Sequence, residues 1–205
     1  MTWNVETLDR RVDKEIQGLP ADIQASLILV MELIAAHGPE DVGMPHVRHV
    51  EGRIWELRAK GRSGQGRGLF IGVRGNRVVI LAAFQKIKPN DPARSNRSSQ
   101  TQTEGFRIVT ELKNLKKKLF KDPDVRTEYE ARQEEFAIVL ALITARKRAG
   151  LTQEQVAERM GTVQPVIARV ESGRQRPSLK TIERYAKATG HRAVVSLEPA
   201  SSSTG

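Results

Sequence analysis

Residues 151–176 read LTQEQVAERMGTVQPVIARVESGRQR, and PSLKTIERYAKATG follows directly. Leu151, Val156, Ala157 and Met160 put apolar side chains on one face of a short helix that ends at Gly161. Thr162 is placed to cap a second helix whose buried stripe would be Val163, Val166, Ile167 and Val170, stopping at Ser172-Gly173. Gln164, Arg169, Arg174 and Arg176 are left on the opposite face. Two short helices around a tight turn, with the second presenting a polar and basic face, is the pattern of a helix–turn–helix that lays its second helix in the DNA major groove.

Those residues carry a family resemblance. LTQEQVAERMG, IARVESGR and PSLKTIERYAKATG resemble the lambda-repressor-like (XRE) helix–turn–helix, and more narrowly the antitoxins of the HigA type. The resemblance implies double-stranded operator DNA as partner. Gln153, at the start of the first motif helix, would hold a backbone phosphate with the helix amides. Thr162 and Gln164 would open the recognition helix, where Gln can pair with adenine in a bidentate way. Arg169 and Arg174 lie on the same side, Pro165 stands in the first turn where a small polar residue is usual, and Lys180 is a further phosphate candidate beside the capping Ser178.

Charge agrees with an anionic partner. Of the formal +10, residues 136–205 supply a surplus of 6, from 11 Lys and Arg against 5 Asp and Glu. The chain of 205 residues has room for two small domains. It contains no cysteine, and His37, His46, His49 and His191 form no HxH or HxxxH pair, so neither a disulfide framework nor a metal site is expected, and no cofactor. No apolar run reaches the ~18 residues of a membrane span, and no signal-peptide pattern is present, which predicts a cytoplasmic protein, bacterial or phage-encoded.

The N-terminal half has a different rhythm. Val5, Leu8, Val12, Ile16 and Leu19 are spaced for a helix that Pro20 breaks, and Ile23, Leu27, Val30, Leu33 and Ile34 continue the period to His37-Gly38-Pro39. This predicts a helical hairpin. β-rich runs follow at Ile54–Arg58, Gly68–Val73 and Arg77–Phe84, the last two joined by a tight turn at Arg74-Gly75-Asn76. Gly61, Gly64, Gly66 and Gly68 read as a flexible hairpin connection rather than a phosphate cradle, because strands flank them on both sides. The fold class is therefore α+β, followed by an all-α helix–turn–helix domain with a terminal strand.

LPADIQASLILVMELIAAHG, VEGRIWELRAKG and GRGLFIGVRGNRVVILAAFQKIKP resemble the RelE/ParE-like toxin superfamily, in its HigB-type, phage Gp49-like branch. The resemblance implies a ribosome-dependent messenger-RNA endonuclease, with Arg58, Arg67, Lys86 and Lys88 around the scissile phosphate. His46 and His49 are weaker acid–base candidates, because the family pattern puts them in a loop. ARSNRSSQTQTEG, residues 93–105, is polar where such toxins usually carry a charged C-terminal helix.

The expected organisation is a toxin-like domain over 1–92, a polar linker over 93–109 and two antitoxin helices over 110–135. The helix–turn–helix domain over 136–198 and a tail over 199–205 complete it. In the linking helices Lys113, Lys116, Lys117 and Lys118 are read as a solvated face, and Asp124 as a cap. The first bundle helix is Phe136–Ala149, with Ile138, Leu140, Leu142 and Ile143 in the core. The alternating run Arg192–Leu197 is expected to form a strand that pairs with its twin in a homodimer. The functional expectation is a fused toxin and antitoxin acting as a DNA-binding autorepressor. Its alternatives are an active RNA-cleaving enzyme that engages ribosome and mRNA, and a phage repressor using the toxin fold as an interaction platform.

Overall fold

The computed structural model describes residues 2–86, 110–173 and 176–196. The first element is a strand, not a helix: β1 (Asn4–Thr7) precedes α1 (Arg10–Gln17) and α2 (Ala21–His37). Val5 fits a helical period, but the backbone of β1 pairs in parallel with a later strand. Asp9 then starts α1 by accepting a hydrogen bond from Val12 N. Asp9 is an N-cap inside what periodicity alone reads as one helix.

After the short α3 (Pro39–Val42), four strands run in antiparallel order: β2 (Val47–Glu51), β3 (Ile54–Gly61), β4 (Gly64–Val73) and β5 (Arg77–Lys86). β6 (Thr110–Glu111) closes the far edge, giving the sheet order β2-β3-β4-β5-β1-β6. The sheet is thus mixed, because the β1–β5 pairing is parallel. Gly75 and Asn76 both have positive φ, at 82° and 55°, in the turn expected between β4 and β5.

The glycines are not a loose connection. Gly64, Gly66 and Gly68 lie within β4, and only Arg62-Ser63 turns the chain. A Cβ at Gly66 would fall 2.4 Å from Ile23 Cγ2, so the missing side chain lets α2 lie close on the sheet.

α4 (Leu112–Leu119) and α5 (Pro123–Arg148) follow β6. Asp122, not Asp124, caps α5, its carboxylate accepting from Asp124 N. α5 is continuous through residue 136, where a boundary was expected. Its buried Val125, Tyr129, Val139 and Ile143 belong to the same core as Ile23, Leu27, Met31 and Phe70. Leu142, with Ile138 beside it, faces a second and smaller core made with Val156, Ala157, Met160, Ile167 and Tyr185. Neighbouring stripes of one helix therefore serve two cores, while Leu140, expected inside, is exposed.

Lys113, Lys117 and Lys118 are exposed, as a solvated face requires, but Lys116 is partly buried and both Lys116 and Lys118 are paired. Lys116 Nζ lies 2.5 Å from Glu32 Oε1 and 2.7 Å from the Tyr129 hydroxyl, and Lys118 Nζ is 3.2 Å from the buried Asp13 carboxylate. Burial would lower the Lys116 ammonium pKa, but its bonds to Glu32 and Tyr129 outweigh that and hold it above the ordinary value.

The small core is built by α5, α6 (Gln153–Arg159), α7 (Gln164–Val170) and α8 (Leu179–Ala188). The terminal strand is not formed: the described residues 191–196 are irregular, with Val194 and Val195 exposed. A lone strand has no ladder to join within one chain. The expected linker 93–109 and tail 199–205 lie outside the described residues. No helix among the described residues is long and apolar enough to cross a membrane.

Candidate nucleic-acid interface

Thr152 caps α6 through a reciprocal box with Gln155: the threonine hydroxyl accepts from Gln155 N, and the glutamine side chain accepts from Thr152 N. That fixes the direction in which α6 leaves the chain and places Gln153 in its first turn. Gly161, at φ 60°, turns the backbone toward α7. The cap of α7 is Val163, not Thr162, and no side chain bonds there. Pro165 is accommodated because the first-turn amides of a helix have no intrahelical acceptor. Of the expected buried stripe only Ile167 is fully buried, and Val163 is 62% exposed.

The result is a pair of amides at the mouth of the motif. Gln164 Nε2 donates to Gln153 Oε1 at 2.7 Å, joining the start of α7 to the start of α6. Arg169 is exposed on α7, and Lys180 is exposed in the first turn of α8. Arg169 and Arg176 line a shallow groove of about 320 Å³ that leads to the capping Ser178. Arg176 is not left over on the polar face as expected, since its guanidinium meets Glu134 at 3.1 Å and Glu135 at 3.5 Å on α5. Arg174 lies outside the described residues.

Behind these residues is a buried hub that composition could not reveal. Glu171 is 1% exposed and accepts from Arg146 Nε and Nη2, each at 2.8 Å. It also accepts from the Tyr185 hydroxyl at 2.5 Å and from Gln153 Nε2 at 3.0 Å. Burial would weaken the Arg146 cation, but the Glu171 hydrogen bonds hold its pKa above the ordinary value. Burial and then the Glu171 charge push the Tyr185 phenol upward, so it stays a proton donor at neutral pH. In the sequence Glu171 reads only as part of a helix stop.

The second cluster lies on the sheet. Arg58 and Arg67 are register partners on β3 and β4, so their side chains share one face, and Phe84 continues it on β5. Glu56 joins the two arginines: Arg58 Nε is 3.0 Å from its carboxylate, and Arg67 bonds both the same oxygen and, at 2.9 Å, Gln65 Oε1. Lys86 pairs with Gln65 at the end of β5 and is exposed, whereas Lys88 lies outside the described residues.

A cleft of about 420 Å³ runs along the free end of β3, lined by Arg58, Lys60, Arg62, Arg67, His46 and, from α5, Arg132. Arg132 Nη1 donates to Ser26 Oγ and Lys60 O at 3.0 Å, and Arg62 is paired with Glu128 of α5. His46 therefore stands nearer the arginines than its loop position suggests, while His49, on β2, packs against Trp55 of β3 and stays outside the cleft. Among the described residues no group of three His, Cys, Asp or Glu is gathered for a metal ion.

Comparison with known proteins follows this division. The family described as Phage derived protein Gp49-like matches residues 14–104, and the Helix-turn-helix family matches residues 142–192. The chain joins a Gp49-like domain to an XRE-type helix–turn–helix domain. The protein named Antitoxin HigA1 from Mycobacterium tuberculosis is 39% identical over 77 residues, which is 38% of this chain and 52% of that protein. An uncharacterized HTH-type transcriptional regulator of Methanothermobacter thermautotrophicus is 49% identical over 45 residues, 22% of this chain and 65% of its own length. One from Haemophilus influenzae is 41% identical over 46 residues, 22% of this chain and 47% of that protein. The chain spans about half the length of the antitoxin it matches.

Proposed function

We propose that this protein is a sequence-specific DNA-binding transcriptional repressor of its own promoter, acting as a homodimer through the helix–turn–helix half. The observation that carries the reading is the Gln153–Gln164 pair at 2.7 Å. It joins the first turns of α6 and α7, an arrangement that suits Gln153 to a backbone phosphate and Gln164 to a base edge. The relatives named as an antitoxin and as HTH-type regulators support the same reading. Arg169, Arg174 and Lys180 supply phosphate contacts, Thr162 and Pro165 border the reading helix, and the exposed Val163 is suited to a thymine methyl group. Val194 and Val195 lie on the segment that pairs with its twin.

The test is a titration of the full chain against the DNA immediately upstream of its own coding sequence. Gln164→Ala is expected to lose about 1–3 kcal/mol of discrimination between sites. Gln153→Ala weakens all sites alike. Equal binding by both variants and the parent protein would reject the assignment.

The N-terminal half is read as an RNA-cleaving fold of the RelE type kept silent by its own α5. Arg58, Arg67, Lys86 and Lys88 are its phosphate-binding set. What favours this is the arginine-rich cleft, together with the Arg132 and Glu128 contacts that tie α5 across it. Inducing the Glu128→Ala/Arg132→Ala variant should arrest growth where the parent does not, and adding Arg58→Ala should abolish the arrest. Growth unaffected by the folded double variant rejects the enzyme reading, leaving the Gp49-like half as an interaction platform.

A further inference from the structure

The loop between α3 and β2 belongs to the N-terminal half, yet it ends against the mouth of the helix–turn–helix. Gln153 Nε2 donates to Met44 O at 3.1 Å as well as to Glu171 at 3.0 Å, and Gln153 Oε1 accepts from Gln164. A primary amide has two N–H donors. Both are therefore in use, one of them on the N-terminal half.

Four further contacts, one from His46 and three from the ends of α2 and α3 beside it, hold the loop there. His46 Nε2 lies 3.1 Å from Glu171 O, at the end of α7. Arg146 Nη2 donates to Asp41 O at 2.8 Å while also bonding Glu171. Lys147 Nζ meets the Asp41 carboxylate at 2.6 Å and donates to His37 O at 2.8 Å.

We propose that segment 41–46, the last turn of α3 and the loop after it, is an autoinhibitory latch on the DNA-reading end of the helix–turn–helix. The inference rests on the DNA-binding reading above and adds how that site is regulated. A phosphate oxygen at the start of α6 needs the Nε2 donor that Met44 O occupies, and it needs the space beside that donor. DNA and the loop therefore compete for Gln153. The contacts favour a latch over a permanent weld, because Met44 and Asp41 hold on through backbone carbonyls, and the Asp41–Lys147 pair is about 40% exposed on both sides. The hub passes the state of the loop onward, since Glu171 holds Gln153, and Gln153 holds Gln164. Whatever draws segment 41–46 away from α5 and α6 frees the reading residues.

The full-length chain can test this directly, because it has no cysteine of its own. Asp41→Cys and Lys147→Cys, joined by a short reducible bis-thiosulfonate, lock the latch shut. The probe is a fluorescent duplex carrying the DNA immediately upstream of the coding sequence, followed by anisotropy. The locked protein should bind at least about tenfold more weakly than the same sample after reduction, since apparent affinity scales with the fraction in the open state. Independently, Asp41→Ala/Lys147→Ala, which needs no cross-link, should bind several-fold more tightly than the parent. Equal affinities for locked and reduced protein, or for the alanine variant and its parent, overturn the latch and leave the DNA reading standing. No binding by any form, open ones included, overturns both.

Discussion

The two halves of the molecule are held together by different physics. The N-terminal core buries a continuous set of aliphatic side chains from α1, α2, the sheet, α4 and α5, with Ile16, Ile23, Leu27, Ile34 and Ile80 at 0% exposure. Among the described residues, the apolar cluster of the helix–turn–helix has six buried side chains, from Leu142 to Tyr185. Burying a large aliphatic side chain is worth roughly 1.5–3 kcal/mol, so six cannot fix four helices with much to spare. The smaller core is completed by the buried ion pair between Arg146 and Glu171, with Tyr185 and Gln153 attached. A core of aliphatics does not depend on where a neighbouring loop sits. A core closed by a charged hub does, and here the hub also bonds Asp41 and His46 of the other half.

The strongest way to break that contrast is Glu171→Ala. Removing one partner of a buried pair leaves Arg146 uncompensated, at a cost of about 3–5 kcal/mol. The helix–turn–helix should then melt first. Both tryptophans, Trp3 and Trp55, lie in the N-terminal half, so their fluorescence follows that half alone, whereas far-ultraviolet circular dichroism follows all the helices. The variant should show an early loss of helix with no change in tryptophan emission, then a second transition seen by both probes. A single coincident transition would mean that the two cores are one cooperative unit and that the contrast has no energetic content.

That contrast also separates what was legible in the sequence from what was not. The turn at Gly161, the Ser178 cap, the break at Pro20 and the β4–β5 turn could be read because each is a local rule written in one or two residues. The register that puts Arg58 beside Arg67 was half legible. Both residues stood out as candidates, but their shared carboxylate, Glu56, gave no signal because it looks like any strand glutamate. β1 is hidden in the sequence because Val5 and Leu8 satisfy a helical period, and only the long-range pairing with β5 decides against it. α5 reads as two helices for a related reason. A second apolar stripe, Ile138 and Leu142, joins the first, Val125 to Ile143, in the C-terminal half of the helix, which blurs the periodicity of a single amphipathic face. The role of Met44 was unreadable in principle, since its contact with Gln153 is made by a backbone carbonyl.

A smaller effect sharpens the comparison at the seam between the halves. His37 ends α2, is buried, and lies 3.3 Å from Thr144 Oγ1 of α5. Burial lowers its pKa below the ordinary 6.5, and the positive charges of Lys147 and Arg146 push the same way, against the Asp41 carboxylate and a hydrogen bond with the Leu140 backbone. Its neutral form is therefore the one the closed seam prefers. Between the lowered value and 6.5 the unfolded or opened chain binds more protons than the closed one, so stability rises with pH through that window. The contribution is fully present above about pH 6.5 and is lost as pH falls toward the lowered value. Urea unfolding across that range should show the parent losing stability with acidification, and His37→Gln should flatten the part of the slope that belongs to this window. A slope unchanged in His37→Gln would remove the histidine from the account and leave Asp41 and Lys147 as the charges that set the seam. A flattened slope would show that the seam senses acid through the His37 imidazole.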